Sequence, residues 1–355
     1  MKVSNKSGRD MKRVLFVIID QLPGHWAKGV NVAEGMQLSG DWAKMINVAE
    51  DMPPVNVWGY HEKGLIPNFS HLINNGIFAF TWNRGICDTP HGMKYLATGK
   101  YDVEPFWSSL KNQPYYARKV SDPMGLFEYA KHYDPEGITA ACFTTNNWSA
   151  PGYFFPAADT HALSSYYPDE LIWRQFALPY LRSKENWNLV HVYFPVMDSI
   201  SNCPSYSYWN PHVRSSKHSY MLFLNSLLGE VIEFLQFNKL WEETYLILAS
   251  DHGYHAACSA ARNIGVKTGI NTPNWCYDHL PPYDCEMWDY IDDKSTGTYS
   301  GCARRTLFLL SGGALKESLR GKVIEEAEII DVAPTIADIH EIPYECEGKS
   351  LLKKE

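Results

Sequence analysis

The sequence predicts a layered α/β domain built on a mostly parallel sheet, and two observations carry that prediction. Short apolar runs rich in β-branched residues recur along the chain, and stretches with helical patterning lie between them. Apolar runs without polar alternation read as strands buried on both faces, the condition of a parallel sheet covered by helices. Strands that alternate with helices imply right-handed crossovers and a layered architecture.

Taken in order, Val14–Ile19 is the first such strand. Helix-like stretches follow at Asn68–Asn75, Pro90–Thr98 and Met124–His132, and Gly137–Thr144 adds a strand. Asp169–Arg182 reads as helix, Leu189–Phe194 as strand, and Tyr220–Phe237 as helix. The last two apolar runs are Tyr245–Ala249 and Leu307–Leu310. Residues 253–300 carry many Cys, Trp, Tyr, Pro and Asp residues with little periodicity. They read as an irregular insertion or small subdomain within one domain spanning residues 1–355. The aromatic segments Tyr101–Tyr116 and Tyr206–Asn210 are candidate pocket walls.

Composition excludes several classes of function. The net charge is −8 and the Lys and Arg residues are dispersed, so no basic stripe marks a nucleic-acid polymer as partner. An acidic chain binds an anion through a metal or a few placed cations. The longest apolar run, Val14–Ile19, falls far short of the roughly 20 residues that cross a membrane. The basic N-terminus leads into Asp20-Gln21 without a small-residue cleavage site, which argues against a secretory signal and for a cytoplasmic protein. The eight cysteines include no C-x-x-C pair; that spacing disfavours structural zinc and suggests reduced thiols.

Chemistry is expected at the carboxyl ends of the strands, where open parallel sheets bind ligands. One strand ends in Asp20-Gln21, another in Asp198, and a third in Asp251-His252. A single Asp at such a place is ordinarily a cap or turn former. Three brought to one edge raise one another's pKa unless a cation sits among them, and His252 supplies a nitrogen ligand. In residues 87–100, Thr89 followed by Pro90 reads as an N-cap and first helical position. That puts the Thr89 hydroxyl at the positive end of a helix, where a metal would make it a nucleophile.

These motifs resemble the alkaline phosphatase superfamily, which includes nucleotide pyrophosphatases/phosphodiesterases, sulfatases and phosphonate monoester hydrolases. Asp20 matches the metal-binding Asp after the first strand, and the Asp20-Gln21 doublet is similar to the opening of phosphonate monoester hydrolases. Thr89 stands nine residues before Thr98-Gly99, the spacing of the family nucleophile, and Asp251-His252-Gly253 matches its late metal motif. Asp331–Pro343 and Gly348–Leu352 resemble the sulfatase-branch ending. Two departures stand beside these matches. The fourth residue after Asp198 is Asn202 where two-metal members have His, and His279, the nearest late histidine, lies too early in the sequence. Cys87 is not in the C-x-P-x-R context that sulfatases require.

The resemblance implies an alkaline-phosphatase-like three-layer α/β/α sandwich with a mostly parallel central sheet. It implies a divalent metal ion, zinc or manganese first and calcium third, held by Asp20, Asp251, His252 and Thr89 with help from Gln21. Asp198 is retained only as part of an incomplete second metal position. Thr89 would attack phosphorus in a phosphate or phosphonate ester, with Lys294, Arg304 and Asn202 stabilising the equatorial oxygens. The expected partner is a small phosphorylated or sulfated molecule, and no organic cofactor is implied. A phosphotransferase or mutase, a sulfatase-like hydrolase and a non-catalytic ligand-binding relative remain as alternatives.

Overall fold

The computed structural model describes residues 12–25, 56–101, 124–145, 154, 158–164, 168–183, 186–202, 216–255, 258–260, 279–289, 294–299 and 301–354. Much of the two aromatic segments flagged as pocket walls, at 102–116 and 206–210, lies outside these residues.

Ten strands are present among the described residues: β1 Arg13–Ile19, β2 Ile77–Trp82, β3 Ala140–Thr145, β4 Thr160–Ser164, β5 Leu189–Phe194, β6 Thr244–Ala249, β7 Glu286–Asp289, β8 Lys294–Tyr299, β9 Arg305–Ser311 and β10 Lys322–Glu328. Eight form one sheet in the order β10-β2-β9-β6-β1-β5-β3-β4, while β7 and β8 make a separate antiparallel pair. Within the large sheet only β9 runs against its neighbours β2 and β6. The remaining pairs are parallel, so the fold is a mostly parallel α/β sheet.

Helices cover both faces of that sheet: α1 Val57–Glu62, α2 Pro67–Asn74, α3 Thr89–Thr98, α4 Leu126–Tyr133, α5 Leu178–Ser183, α6 Val196–Asn202, α7 Ser216–Phe237 and α8 Val332–Ile339. A π-helical stretch, Ile172–Ala177, leads into α5. The two-sided burial is visible along β1. Val14, Phe16 and Ile18 join an apolar cluster with α3, α4 and α8, whereas Leu15, Val17 and Ile19 join another with α2 and α7. Successive strand side chains point to opposite faces, so an unbroken apolar run is what a central strand between two helical layers requires.

Strand order decides where the site forms. β1 lies between β5 and β6 with parallel register, Ile19 opposite Phe194 and Ile18 opposite Ala249. The carboxyl ends of these three strands therefore share one edge, with Asp20, Asp198 and Asp251 just beyond them. β2 is parallel to β6 through its antiparallel partner β9. Its carboxyl end, the start of β9 and the residues leading to Thr89 consequently reach the same edge.

Candidate active site

Asp20 is placed by its own N–H, which donates to the Phe194 carbonyl at 2.9 Å. The Tyr193 hydroxyl donates to Asp20 Oδ2. Asp251 Oδ1 accepts from the backbone N–H groups of Gln21 (3.1 Å) and His252 (3.0 Å). The outer oxygens, Asp20 Oδ1 and Asp251 Oδ2, are buried with no hydrogen-bond partner among the described residues. Burial, then repulsion from Asp251 and Asp198, holds the Asp20 carboxyl well above the usual carboxylate range. Burial likewise pushes Asp251 up to about 6.

His252 faces these oxygens. Its Nδ1 lies 3.0 Å from the Gly253 carbonyl, which can only accept, so Nδ1 carries the proton. Burial pushes the ring pKa down to about 3, leaving Nε2 as a bare lone pair. That nitrogen stands 3.3 Å from Asp20 Oδ1 and 3.6 Å from Asp251 Oδ2. Two carboxylate oxygens and an imidazole lone pair, all buried and facing one another, repel unless a cation lies between them. The three atoms fall within 4.8 Å of one another, and one nitrogen with two carboxylate oxygens suits a zinc-like divalent ion.

A second group adjoins the first. Asp198, in the opening turn of α6, lies with His252 and His279, again with ligand atoms within 4.8 Å. His279 Nδ1 donates to the Cys87 carbonyl at 2.9 Å, which turns Nε2 toward Asp198 Oδ1, 3.9 Å away. The His252 and His279 rings are 4.1 Å apart. This corrects the sequence expectation that His279 lies too early and that Asp198 has no histidine partner. His279 comes from the irregular segment before β7, so its distance along the chain says little about its place in space.

Gln21, expected to help hold the metal, contacts Asp198 and Lys217. It sits at φ 56°, a left-handed conformation uncommon for a side-chain-bearing residue. Its Nε2 donates to Asp198 Oδ1 at 2.7 Å, and its Oε1 accepts from Lys217 Nζ at 2.6 Å. Lys217 is buried with its ammonium 4.2 Å from the Tyr254 ring centroid. Gln21 therefore positions Asp198 and relays a positive charge toward it. Neither Lys217 nor Tyr193 carries a sequence signal, since each sits in an ordinary helix or strand pattern.

The nucleophile candidate is placed differently from the sequence reading. Asp88, not Thr89, is the N-cap of α3, accepting from the His91 N–H at 2.9 Å. The Thr89 hydroxyl is thus released from capping and lies 3.2 Å from His252 Nε2. Close approach of α3 depends on Gly92, where a Cβ would stand 2.3 Å from the Asp251 carbonyl oxygen. Arg304 Nη1 donates to the carbonyls of Asn83 (3.0 Å) and Gly85 (2.9 Å), bracing the loop that enters α3. Lys294 is exposed at the start of β8, in register with Asp289. Asn202 is the last residue of α6, and its side chain lies outside the described residues. Cys87 is fully buried, and burial pushes its thiol pKa up, so it does not compete with Thr89 as nucleophile.

Among the described residues no helix is long and apolar enough to cross a membrane. No curated protein matches the sequence. Solved structures share the fold at low identity. An alkaline phosphatase superfamily protein from Vibrio parahaemolyticus is 13% identical with a TM-score of 0.57, covering 97% of this chain and 70% of its own. The phosphonate monoester hydrolase of Agrobacterium radiobacter is 12% identical with a TM-score of 0.55, covering 96% and 76%. Murine ectonucleotide pyrophosphatase/phosphodiesterase 5, an inactive variant in complex with AMP, is 12% identical with a TM-score of 0.57, covering 96% and 98%. Residues 70–305 match the model of the type I phosphodiesterase / nucleotide pyrophosphatase family, to which this chain belongs.

Proposed function

We propose that the chain is a metal-dependent hydrolase of phosphate or phosphonate esters with Thr89 as nucleophile. The observation that carries this reading is the Thr89 hydroxyl, 3.2 Å from His252 Nε2 at the N-terminal end of α3, beside two buried carboxylate oxygens that have no hydrogen-bond partner among the described residues. Asp20, Asp251 and His252 would hold one divalent ion through the single free lone pair of His252, and Asp198 with His279 would offer two ligands to a second ion beside it. When bound, the ions supply Lewis-acid charge that lowers the Thr89 pKa and draws electron density from the phosphoryl group.

The chain's own residues do the rest. Thr89 gives up its proton as its oxygen bonds to phosphorus, in line with the departing ester oxygen, which is protonated as it leaves. Water then cleaves the phospho-threonine and restores the hydroxyl. The positive end of α3 favours negative charge gathering beside Thr89. Tyr193 keeps Asp20 in place and Gln21 keeps Asp198 in place, so the ligand atoms do not reorganise during the reaction. Arg304 holds the loop before α3, while Lys294 and Asn202 stand as candidates for contacts to the substrate oxygens.

The test is Thr89→Ala assayed on p-nitrophenyl esters of phosphate, phenylphosphonate and sulfate. Turnover of the preferred ester should fall by roughly three orders of magnitude or more with metal content unchanged. Full activity in that variant would remove Thr89 from the mechanism. Brief incubation of the wild type with substrate followed by acid quench should leave a phosphorylated peptide containing Thr89.

A further inference from the structure

The segment between β6 and β9 brings together four side chains that the proposed reaction does not use. His255, Cys258, Cys285 and Cys302 are all buried, and their ligand atoms lie within 4.8 Å of one another. We propose that they form a structural site for a zinc ion, closed by four protein ligands and separate from the candidate active site.

The sulfur–nitrogen distances suit a tetrahedral ion. Zinc bonded to sulfur at about 2.3 Å and to nitrogen at about 2.0 Å sets sulfur–nitrogen edges of roughly 3.6 Å. His255 Nδ1 lies 3.9 Å from Cys258 Sγ and 3.8 Å from Cys285 Sγ. Cys285 and Cys302 bring their sulfurs to 3.0 Å, well beyond a covalent disulfide of about 2.05 Å and closer than the roughly 3.8 Å edge of a tetrahedral zinc site, so a bound ion would spread this pair. All three are thiols, not disulfides.

The histidine gives an independent indication. His255 Nε2 lies 2.6 Å from the Leu280 carbonyl, which can only accept. The proton therefore sits on Nε2, and the lone pair of Nδ1 points into the sulfur cluster. A backbone carbonyl that fixes the tautomer in this way is the usual partner of a zinc-bound imidazole. Three thiols and one imidazole are soft and borderline donors that favour zinc over magnesium or calcium, and a complete set of four leaves no position for substrate.

The backbone aims the ligands at one point. Gly301 and Cys302 both take positive φ, 79° and 38°, which turns the Cys302 side chain back from the start of β9. The Gly301 N–H donates to Asp284 Oδ1 at 2.8 Å, tying that turn to the residue beside Cys285. Cys258 forms an antiparallel bridge with Met287, next to β7. An ion here would clamp the chain on both sides of His279 to the loop that carries His252. Spacing along the chain disfavours structural zinc, and the proposal rests instead on this clustering in space. The sequence contains no close Cys pair because the fold, not local spacing, assembles the four residues.

The experiment is X-ray absorption at the zinc edge on the full chain, expressed with added zinc and purified under reducing conditions, with metal content measured in parallel. One zinc per chain should show sulfur neighbours at about 2.3 Å, a shell that the oxygen and nitrogen ligands of the active site cannot supply. Asp251→Asn should keep the sulfur shell, Cys285→Ser should lose it together with one zinc per chain, and Cys346→Ser should change neither. Absence of zinc–sulfur scattering in the wild type would overturn the proposal, as would recovery of a Cys285–Cys302 disulfide from alkylated peptides. Because the wild-type spectrum decides the matter, insolubility of Cys285→Ser leaves the test intact.

Discussion

Replacing Asp251 by Asn separates two effects that the wild type combines, mutual repulsion of buried carboxylates and attraction to a cation. Asp251 Oδ1 accepts two backbone N–H groups, and an amide oxygen keeps both. The amide nitrogen takes the place of Oδ2, the oxygen without a hydrogen-bond partner among the described residues, and faces Asp20 Oδ1 and His252 Nε2 as a donor. Burial raises the Asp251 carboxyl from an ordinary 3.8 to about 6. At 1.36 kcal/mol per pH unit this corresponds to roughly 3 kcal/mol. The sign follows from a folded pKa above the unfolded one. Stability is retained below about pH 4 and lost as the pH rises through about 6. In chelator at pH 8, Asp251→Asn should therefore be more stable than the wild type by up to about 3 kcal/mol, and by about half that at pH 5. In excess divalent ion the order should reverse, because binding at a thousand times Kd stabilises the wild type by about 4 kcal/mol. Urea unfolding at both pH values, with and without chelator, measures all of these differences. A wild type as stable as the variant at pH 8 in chelator, or a gap independent of pH, would refute the reasoning.

Three further outcomes are expected. Gly92→Ala places a Cβ 2.3 Å from the Asp251 carbonyl, so α3 must withdraw and take Thr89 with it; stability should fall by about 1–3 kcal/mol and turnover by at least about tenfold, and calorimetry and kinetics unchanged from wild type would contradict the close approach. His279→Ala should weaken binding of one divalent ion in titration calorimetry while the ion held by Asp20, Asp251 and His252 still binds; two unaltered binding events would remove His279 from the site. Asp169, fully buried, accepts from the Val196 N–H at the start of α6, and burial pushes it up to about 8. Its contribution is present below about pH 4 and lost as the pH rises through about 8, so the urea midpoint of the wild type should drop more between pH 6 and 9 than that of Asp169→Asn; parallel profiles would show Asp169 ionised throughout.

The fold was legible where burial alone dictates sequence. β1, β5, β6 and β9 sit at or near the centre of the large sheet, and each appears as an unbroken apolar run. The edge strands β4 and β10 and the exposed hairpin strand β8 passed unread, because partial exposure dilutes the apolar signal. β2 carries no strand expectation although its sequence, IFAFTW, is apolar and follows the turn-forming Asn74-Asn75-Gly76, because a short apolar run beside a helix is ambiguous between helix and strand. The antiparallel course of β9 has no signature in composition, because direction depends on the path of the connecting chain.

At the site, the sequence by itself determined which strand ends carry acid, that Asp251 is followed by His252, and that Thr89 opens a helix. Those features are local, set by one strand and its next few residues. Only the tertiary structure decided that Asp88 caps the helix in place of Thr89, that Gln21 supports Asp198, and that His279 completes a second group. It alone gathered His255, Cys258, Cys285 and Cys302. Ligand sets assembled from irregular segments depend on loop paths fixed by many weak packing contacts, and no short-range pattern along the chain encodes those paths.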